Sequence, residues 1–139
     1  DDLQHPENGG NIRAVLNARD IDAQMFDNIV VAGDGKLLVE EDPGDNPHMA
    51  SIWQFDPKTA KAIKVAKVVP EAFLDKNSPA FLTQDEENSG IIEVTDLVKK
   101  APWFEIGKRY YLGVLQVHAK SKDPELVEDG QLYLLSGPQ

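Results

Sequence analysis

Nearly every periodic apolar segment of this 139-residue chain has the length of a β-strand, and turn residues separate the segments. Gly33-Asp34-Gly35 has the residues that a tight hairpin turn needs, because glycine and aspartate tolerate positive φ. Single helical turns are predicted at 71–74, after Pro70, and at 95–98, where Thr95 is the cap. The predicted strands are 12–16, 28–32, 37–41, 51–55, a fourth marked by Ile63, Val65, Val68 and Val69, then 110–119 and 131–136. The pattern therefore predicts an all-β chain.

The spacing of these strands predicts one domain over residues 1–139. Residues 28–69 form a four-stranded antiparallel meander with short connections, which is the size of one β-propeller blade, and residues 70–139 supply further blade elements. The chain has room for about three blades, whereas propellers have about four to eight. It is therefore expected to be part of a propeller whose ring is completed by another segment or by another copy. A complete small β-sandwich of seven or eight strands is the alternative.

Composition excludes several classes of function. The chain has 24 acidic and 14 basic residues, and a net charge of -10 repels nucleic acid and anionic lipid. No apolar run approaches the roughly 18 residues of a membrane span. The absence of cysteine excludes disulfides, zinc–thiolate sites and cysteine nucleophiles within the chain. The opening residues have neither a basic start nor an apolar stretch, so no export signal is expected in them.

Carboxylates stand at the ends of the apolar strands, and this pattern indicates a site for a hard, oxygen-preferring cation. Asp27 and Asn28 lie where the chain enters a strand, although the same pair is ordinary turn chemistry. Glu40 and Glu41 end the next strand, and alternation sends their side chains to opposite faces. A solvated acidic loop is the alternative for this second group.

A second acidic block, Asp85-Glu86-Glu87, precedes Ser89-Gly90, where a sharp backbone turn could hold a glutamate over the end of the sheet. A shared cation would relieve the repulsion between these carboxylates, and so would solvation. His118 shares a face with Gln116 on a strand that is apolar on both faces, so we expect it inside the fold. It is a candidate metal ligand, phosphate donor or general acid, or else a structural histidine.

Several blocks in order carry a family resemblance: FDNIVV, GKLLVEEDPGDN, IWQFD, LTQDEENSGIIEV, LQVHA and ELVEDGQLYLL. Together they resemble the C-terminal half of bacterial PhoX-type proteins, which are secreted or periplasmic calcium-dependent alkaline phosphatases and their relatives. The resemblance implies a propeller with metals at one mouth that hydrolyses small phosphate esters, with calcium and also iron or another transition metal as cofactors. It implies that an N-terminal half supplies part of the metal cluster, so that residues 1–139 alone are expected to be inactive.

The residue patterns give the candidate site residues, and the resemblance adds a preference for Glu41 with Asp42. Glu41, preferred together with Asp42, and His118 are the expected catalytic residues. The expected metal ligands are Asp27, Asn28, Glu41, Asp42, Glu86 and Glu87. Two hypotheses follow. In the first, the chain is part of a metal-dependent phosphatase. In the second, it is a calcium-stabilised propeller segment that binds a partner or acts as a scaffold, without catalysing a reaction. They differ in whether Glu41, a glutamate of the second block and His118 converge on one cation.

Overall fold

A computed structural model describes residues 4–138 and shows an all-β protein made of two antiparallel sheets. Its two α-helices, α1 and α2, have one turn each, at Pro70–Phe73 and Thr95–Val98, close to the two predicted helical turns. The predicted cap is wrong: Val94 is the N-cap and Thr95 is the first helical residue, because the Thr95 hydroxyl pairs with the Tyr110 amide and with Glu93. The strands are β1 Phe26–Val31, β2 Leu37–Glu41, β3 Ser51–Asp56, β4 Lys61–Lys67, β5 Glu86–Glu93, β6 Lys108–Val117 and β7 Asp129–Pro138. Within the described residues, no helix is long and apolar enough to cross a membrane.

The first sheet is the predicted four-stranded meander, with strand order β1-β2-β3-β4. The turn of its first hairpin contains Gly33 and Gly35, as predicted. The Gly35 amide donates to the Ala32 carbonyl, and Gly35 has a φ of 84°. The second sheet has three strands in the order β5-β6-β7. The chain therefore forms two sheets, one fewer than the three blades expected from its length.

The two sheets pack face to face around one core. Leu38 and Ile52 of the first sheet meet Ile91 and Tyr111 of the second. At one end of the sheets, α1 places Phe73 in a second cluster of buried residues. These two clusters contain most of the buried aliphatic and aromatic side chains that hold the sheets together.

The sheets meet along β1 and β5 and are separated at their other edges. The Nδ2 atom of Asn28 donates to the Asn88 carbonyl at 3.5 Å, and the Gly33 amide donates to Glu93 at 2.7 Å. Both pairs are 60 residues apart in sequence, so β1 and β5 run side by side in the same direction. On the other side, β4 and β7 each have one hydrogen-bonded neighbour, and a cleft of about 350 Å³ lies between them.

Three predictions about strands are wrong. Residues 12–16 are irregular, and all but Leu16 are exposed, because no strand of either sheet pairs with them. Ser89-Gly90 is a bulge inside β5 and not a turn before it, because β6 pairs with both sides of the irregularity. The central strand β6 is not apolar and buried on both faces, since Leu112 and Val114 are 37% and 38% exposed on the face where Tyr110 alone is buried.

Candidate functional site

The predicted acidic residues lie at one end of the two sheets. This end comprises the C-terminal ends of β2 and β6 and the N-terminal ends of β1, β3, β5 and β7. Three glutamates here, Glu40, Glu41 and Glu86, are 0–1% exposed. We call them the buried glutamates. A solvated acidic loop is therefore the wrong description of these three side chains.

Glu41 is held by the segment before β1 and by the loop after β2. Its Oε1 atom accepts a 2.8 Å hydrogen bond from the Gln24 amide. The same oxygen lies 3.1 Å from Nε2 of His48, which is half-buried in the loop between β2 and β3. Its Oε2 atom is buried and has no hydrogen-bond partner in the described structure. Glu41 therefore has one fixed oxygen and one that is free to bind a donor or a cation.

Glu86 joins the second sheet to the same loop. Its Oε1 atom accepts a 3.0 Å hydrogen bond from the amide of Ala50, the residue before β3. Its Oε2 atom, like that of Glu41, has no hydrogen-bond partner among the described residues. Burial raises the pKa of Glu86 to about 7, and nearby Asp85 adds to the rise, while the Ala50 amide and His48 oppose it. A carboxyl group in this state exchanges its proton near neutral pH.

Glu40 points to the opposite face of β2, as strand alternation predicts, and lies between the two sheets. The Tyr133 hydroxyl donates a 2.8 Å hydrogen bond to its Oε1 atom. Burial raises the pKa of Glu40, whereas this hydrogen bond and one from the Gly90 backbone lower it, and the net shift is upward. Its Oε2 atom also lacks a hydrogen-bond partner in the part of the chain described.

The other residues predicted beside these glutamates make local contacts. Asn28 donates its side-chain amide to Oδ2 of Asp27 at 2.8 Å, and Asp27 is exposed. Asp42 is half-buried, and its Oδ1 atom accepts the Gly44 amide at 3.2 Å. Asp42 therefore accepts a backbone amide two residues later, which is turn chemistry, whereas Asp27 is paired with the neighbouring Asn28 side chain.

Glu87 and His118 form a separate cluster on the outer face of the three-stranded sheet. Nε2 of His118 lies 4.0 Å from Oε2 of Glu87, and its Nδ1 atom lies 3.0 Å from Oε1 of Glu128. Ser89 donates its hydroxyl to Glu87. The hydrogen bond to Glu128 raises the pKa of His118 despite partial burial. His118 therefore lies in a different cluster from Glu41.

The predicted residues therefore reach the same end of the sheets without converging on one point. Among residues 4–138, no three histidine, aspartate or glutamate side chains are grouped so that they could hold a metal ion. The unpartnered oxygens of the buried glutamates have the chemistry that calcium prefers, but calcium takes about six to eight oxygen ligands. The described residues thus supply individual ligands and not a complete calcium site.

His48 is the residue that sequence reasoning missed. It follows Asp45-Asn46-Pro47 in a loop, and nothing in its local pattern distinguishes it from a solvent-exposed histidine. The useful signal is topological: β2 and β3 are antiparallel neighbours, so the loop between them begins and ends at the acidic end. A histidine in that loop can fold back onto the last residue of β2.

The chain matches no protein-family model, no curated protein and no solved structure.

Proposed function

We propose that the chain is a β-propeller segment whose acidic end contributes carboxylate ligands to a cation site in a metal-dependent phosphoric-ester hydrolase. The observation that carries this proposal is the burial of three glutamates at one end, each with one oxygen that has no hydrogen-bond partner among residues 4–138. A buried, uncompensated carboxylate is costly, and a cation is the neutralising partner that such oxygens accept. When bound, the cation would neutralise the negative charge on the phosphoryl oxygens of the substrate.

The arrangement of the sheets supports the propeller part of the proposal. Antiparallel meanders pack face to face, and their first strands, β1 and β5, lie side by side in the same direction. Radially arranged blades place their first strands next to one another in this way. The outer face of the three-stranded sheet also exposes aliphatic side chains that a further sheet would cover: Ile92, Leu112, Val114, Leu132 and Leu134.

A second candidate function is a cation-stabilised binding or scaffold segment without chemistry. It is favoured by the distribution of the acidic side chains, because Glu41 and His118 belong to different clusters. In the PhoX-like reading, the remaining ligands come from another part of the ring. In the scaffold reading, the cation only stabilises the fold, and no ligand to a catalytic centre is required.

Calcium binding by a full-length parent protein that carries this segment tests the part that the two candidates share. After this parent is stripped with chelator, we expect calcium to raise the free energy of unfolding by about 2.7 kcal/mol at one hundred times its dissociation constant. Glu41→Gln and Glu86→Gln should reduce this gain, whereas the exposed Glu71 offers a matched control, Glu71→Gln, that should leave it unchanged. An equal unfolding midpoint with and without calcium would contradict cation binding.

Phosphatase activity separates the candidates. In a full-length parent protein that carries this segment, Glu41→Gln should lower turnover of p-nitrophenyl phosphate by about a hundredfold or more, because one electrostatic contact in such a site contributes about 3 to 4 kcal/mol. Glu71→Gln should retain the parent rate. The 139-residue chain by itself should have little turnover. If the parent protein hydrolyses no phosphate ester with calcium, manganese or iron, the scaffold function replaces the hydrolase.

A further inference from the structure

The three-stranded sheet is one strand short of covering the sheet that it faces. Its last strand, β7, is ten residues long and pairs with β6 on one side only. Long edge strands with free backbone groups readily pair with another strand. The edge is also apolar, since Leu132 and Leu134 are 73% and 47% exposed.

The space beside this edge has the shape of an extended chain. One cleft of about 350 Å³ is lined on the β7 side by Gln131, Tyr133, Leu134 and Leu135, and a second of about 250 Å³ by residues 135–137. Leu135 lines both, so the two clefts follow one another along the strand. Side chains on one face of a strand are about 6.6 Å apart, and successive apolar side chains would fill successive clefts.

The part of the chain that the structure describes contains a segment with the sequence of such a strand but without a strand partner. Residues 12–16, Ile-Arg-Ala-Val-Leu, alternate so that Ile12, Ala14 and Leu16 share one face. In the structure the segment is irregular and Ile12 is 104% exposed, while Leu16 is half-buried and lines a cavity with Ala14 and Ala60 that exchange would vacate. An isoleucine in this state gains free energy wherever it can be buried.

Charge and backbone geometry favour exchange of this segment. Arg13 gives the segment a positive charge, whereas the exposed residues Glu128 and Asp129 stand at the start of β7. Lys67 lines the opposite wall of the first cleft, on β4, and Arg13 lies on the face of the segment that points away from the clefts.

Positive φ values at Asp22 and Met25, 57° and 43°, strain the connection to β1. Strained connections of this kind invite the exchange of a segment between copies.

We propose that residues 12–16 of one copy add to the free edge of β7 in a second copy, and that reciprocal addition forms a strand-exchanged dimer. Ile12, Ala14 and Leu16 fill the two clefts, while Arg13 and Val15 face outward. Each three-stranded sheet then gains a fourth strand, which covers its exposed edge.

Light scattering and sedimentation over a roughly hundredfold range of concentration test the dimer, with hydrogen exchange of the β7 amides as a second readout. Ile12→Lys should weaken association by roughly tenfold to a hundredfold, the range expected for one isoleucine that is no longer buried, and should remove the protection of β7. The matched control is Val15→Lys on the other face of the same segment, which should change association by less than about threefold.

Three outcomes would overturn the proposal. The first is a monomer at every concentration with unprotected β7 amides. The second is a dimer that Ile12→Lys leaves unchanged, because another surface then forms it. The third is an Ile12→Lys variant that loses β7 protection at concentrations where the wild type is monomeric, because the segment then occupies the cleft of its own copy. Unchanged near-ultraviolet circular dichroism from buried Trp53 confirms in each case that the variant is folded.

Discussion

The hydroxyl of Tyr133 in β7 donates a 2.8 Å hydrogen bond to Oε1 of Glu40 in β2, 93 residues earlier in the chain. This bond joins the two sheets across their shared interior, where Glu40 has no exposed surface. Burial raises the pKa of Glu40, and the bond from Tyr133 is the largest influence that opposes the rise. The hydrogen bond from Tyr133 therefore lowers the free-energy cost of burying the Glu40 carboxylate.

We expect Tyr133→Phe to lower the free energy of unfolding by about 2 kcal/mol at neutral pH, the range measured for hydrogen bonds to charged groups. The cost should decrease at acid pH, where Glu40 is protonated and needs less stabilisation. Urea unfolding at both pH values measures the effect. Tyr111→Phe is the control, because the Tyr111 hydroxyl is buried without a hydrogen-bond partner among the described residues and its removal should cost almost nothing. Equal costs for the two variants would contradict the role given to the bond.

Gly113 should be required for the hydrogen bond between Tyr133 and Glu40. It is the β6 partner of Tyr133, and a Cβ atom at this position would overlap the Tyr133 ring. We expect Gly113→Ala to displace the ring and to lower the free energy of unfolding by about 1 to 3 kcal/mol. Gly137→Ala, on β7, is the control, since a Cβ there meets no atom within 4 Å. Thermal unfolding of the two variants should differ, and equal midpoints would show that the ring moves aside without cost.

A second connection between the sheets lies at the end opposite the acidic residues. Arg109 of β6 is 2.7 Å from Glu93 of β5 and 3.8 Å from Asp34 in the first hairpin turn. Burial raises the pKa of Glu93, but the Gly33 amide, Thr95 and Arg109 together outweigh it and lower the pKa. The carboxylate is therefore held ionised by its partners.

Arg109→Met should cost about 2 to 3 kcal/mol, because it leaves Glu93 mostly buried without its cation. The contrast is Lys99→Met, which removes an ion pair of the same 2.7 Å length between side chains that are 59% and 84% exposed. That exposed pair should contribute less than about 1 kcal/mol. Urea unfolding of both variants makes the comparison. Similar losses would mean that burial does not determine the strength of the Arg109 pair.

The sequence was sufficient where the information is local. Glycine and aspartate at the turns predicted the meander, and strand alternation predicted that Glu40 and Glu41 face opposite ways. It failed where distant segments meet. Nothing near Glu40 in the sequence indicates Tyr133, and nothing near Glu41 indicates His48. The burial of the three glutamates was unpredictable for the same reason, because their covering groups come from other strands and loops.

The irregular part of β5 shows a different limit. Ser89-Gly90 has the composition of a turn, and only pairing with β6 on both sides identifies it as a bulge. Residues 12–16 show the converse, because their sequence is typical of a strand although no strand lies beside them in the structure. In both cases the partner strand decides the conformation, as expected for β-structure, where propensity depends on context.

Glu86 should make the stability of the folded protein depend on pH. Its pKa of about 7 in the folded protein lies above the ordinary value of 4.5, so the folded state holds a proton that the unfolded chain releases between these values. The stabilisation is complete below about pH 4.5 and is lost as the pH rises through 7. In metal-free buffer, Glu86→Gln should therefore gain up to about 3 kcal/mol relative to the wild type between pH 4.5 and pH 8. Urea unfolding across this range, with Glu71→Gln as a control that follows the wild type, measures the difference. Parallel curves for Glu86→Gln and the wild type would show that Glu86 titrates like an exposed glutamate.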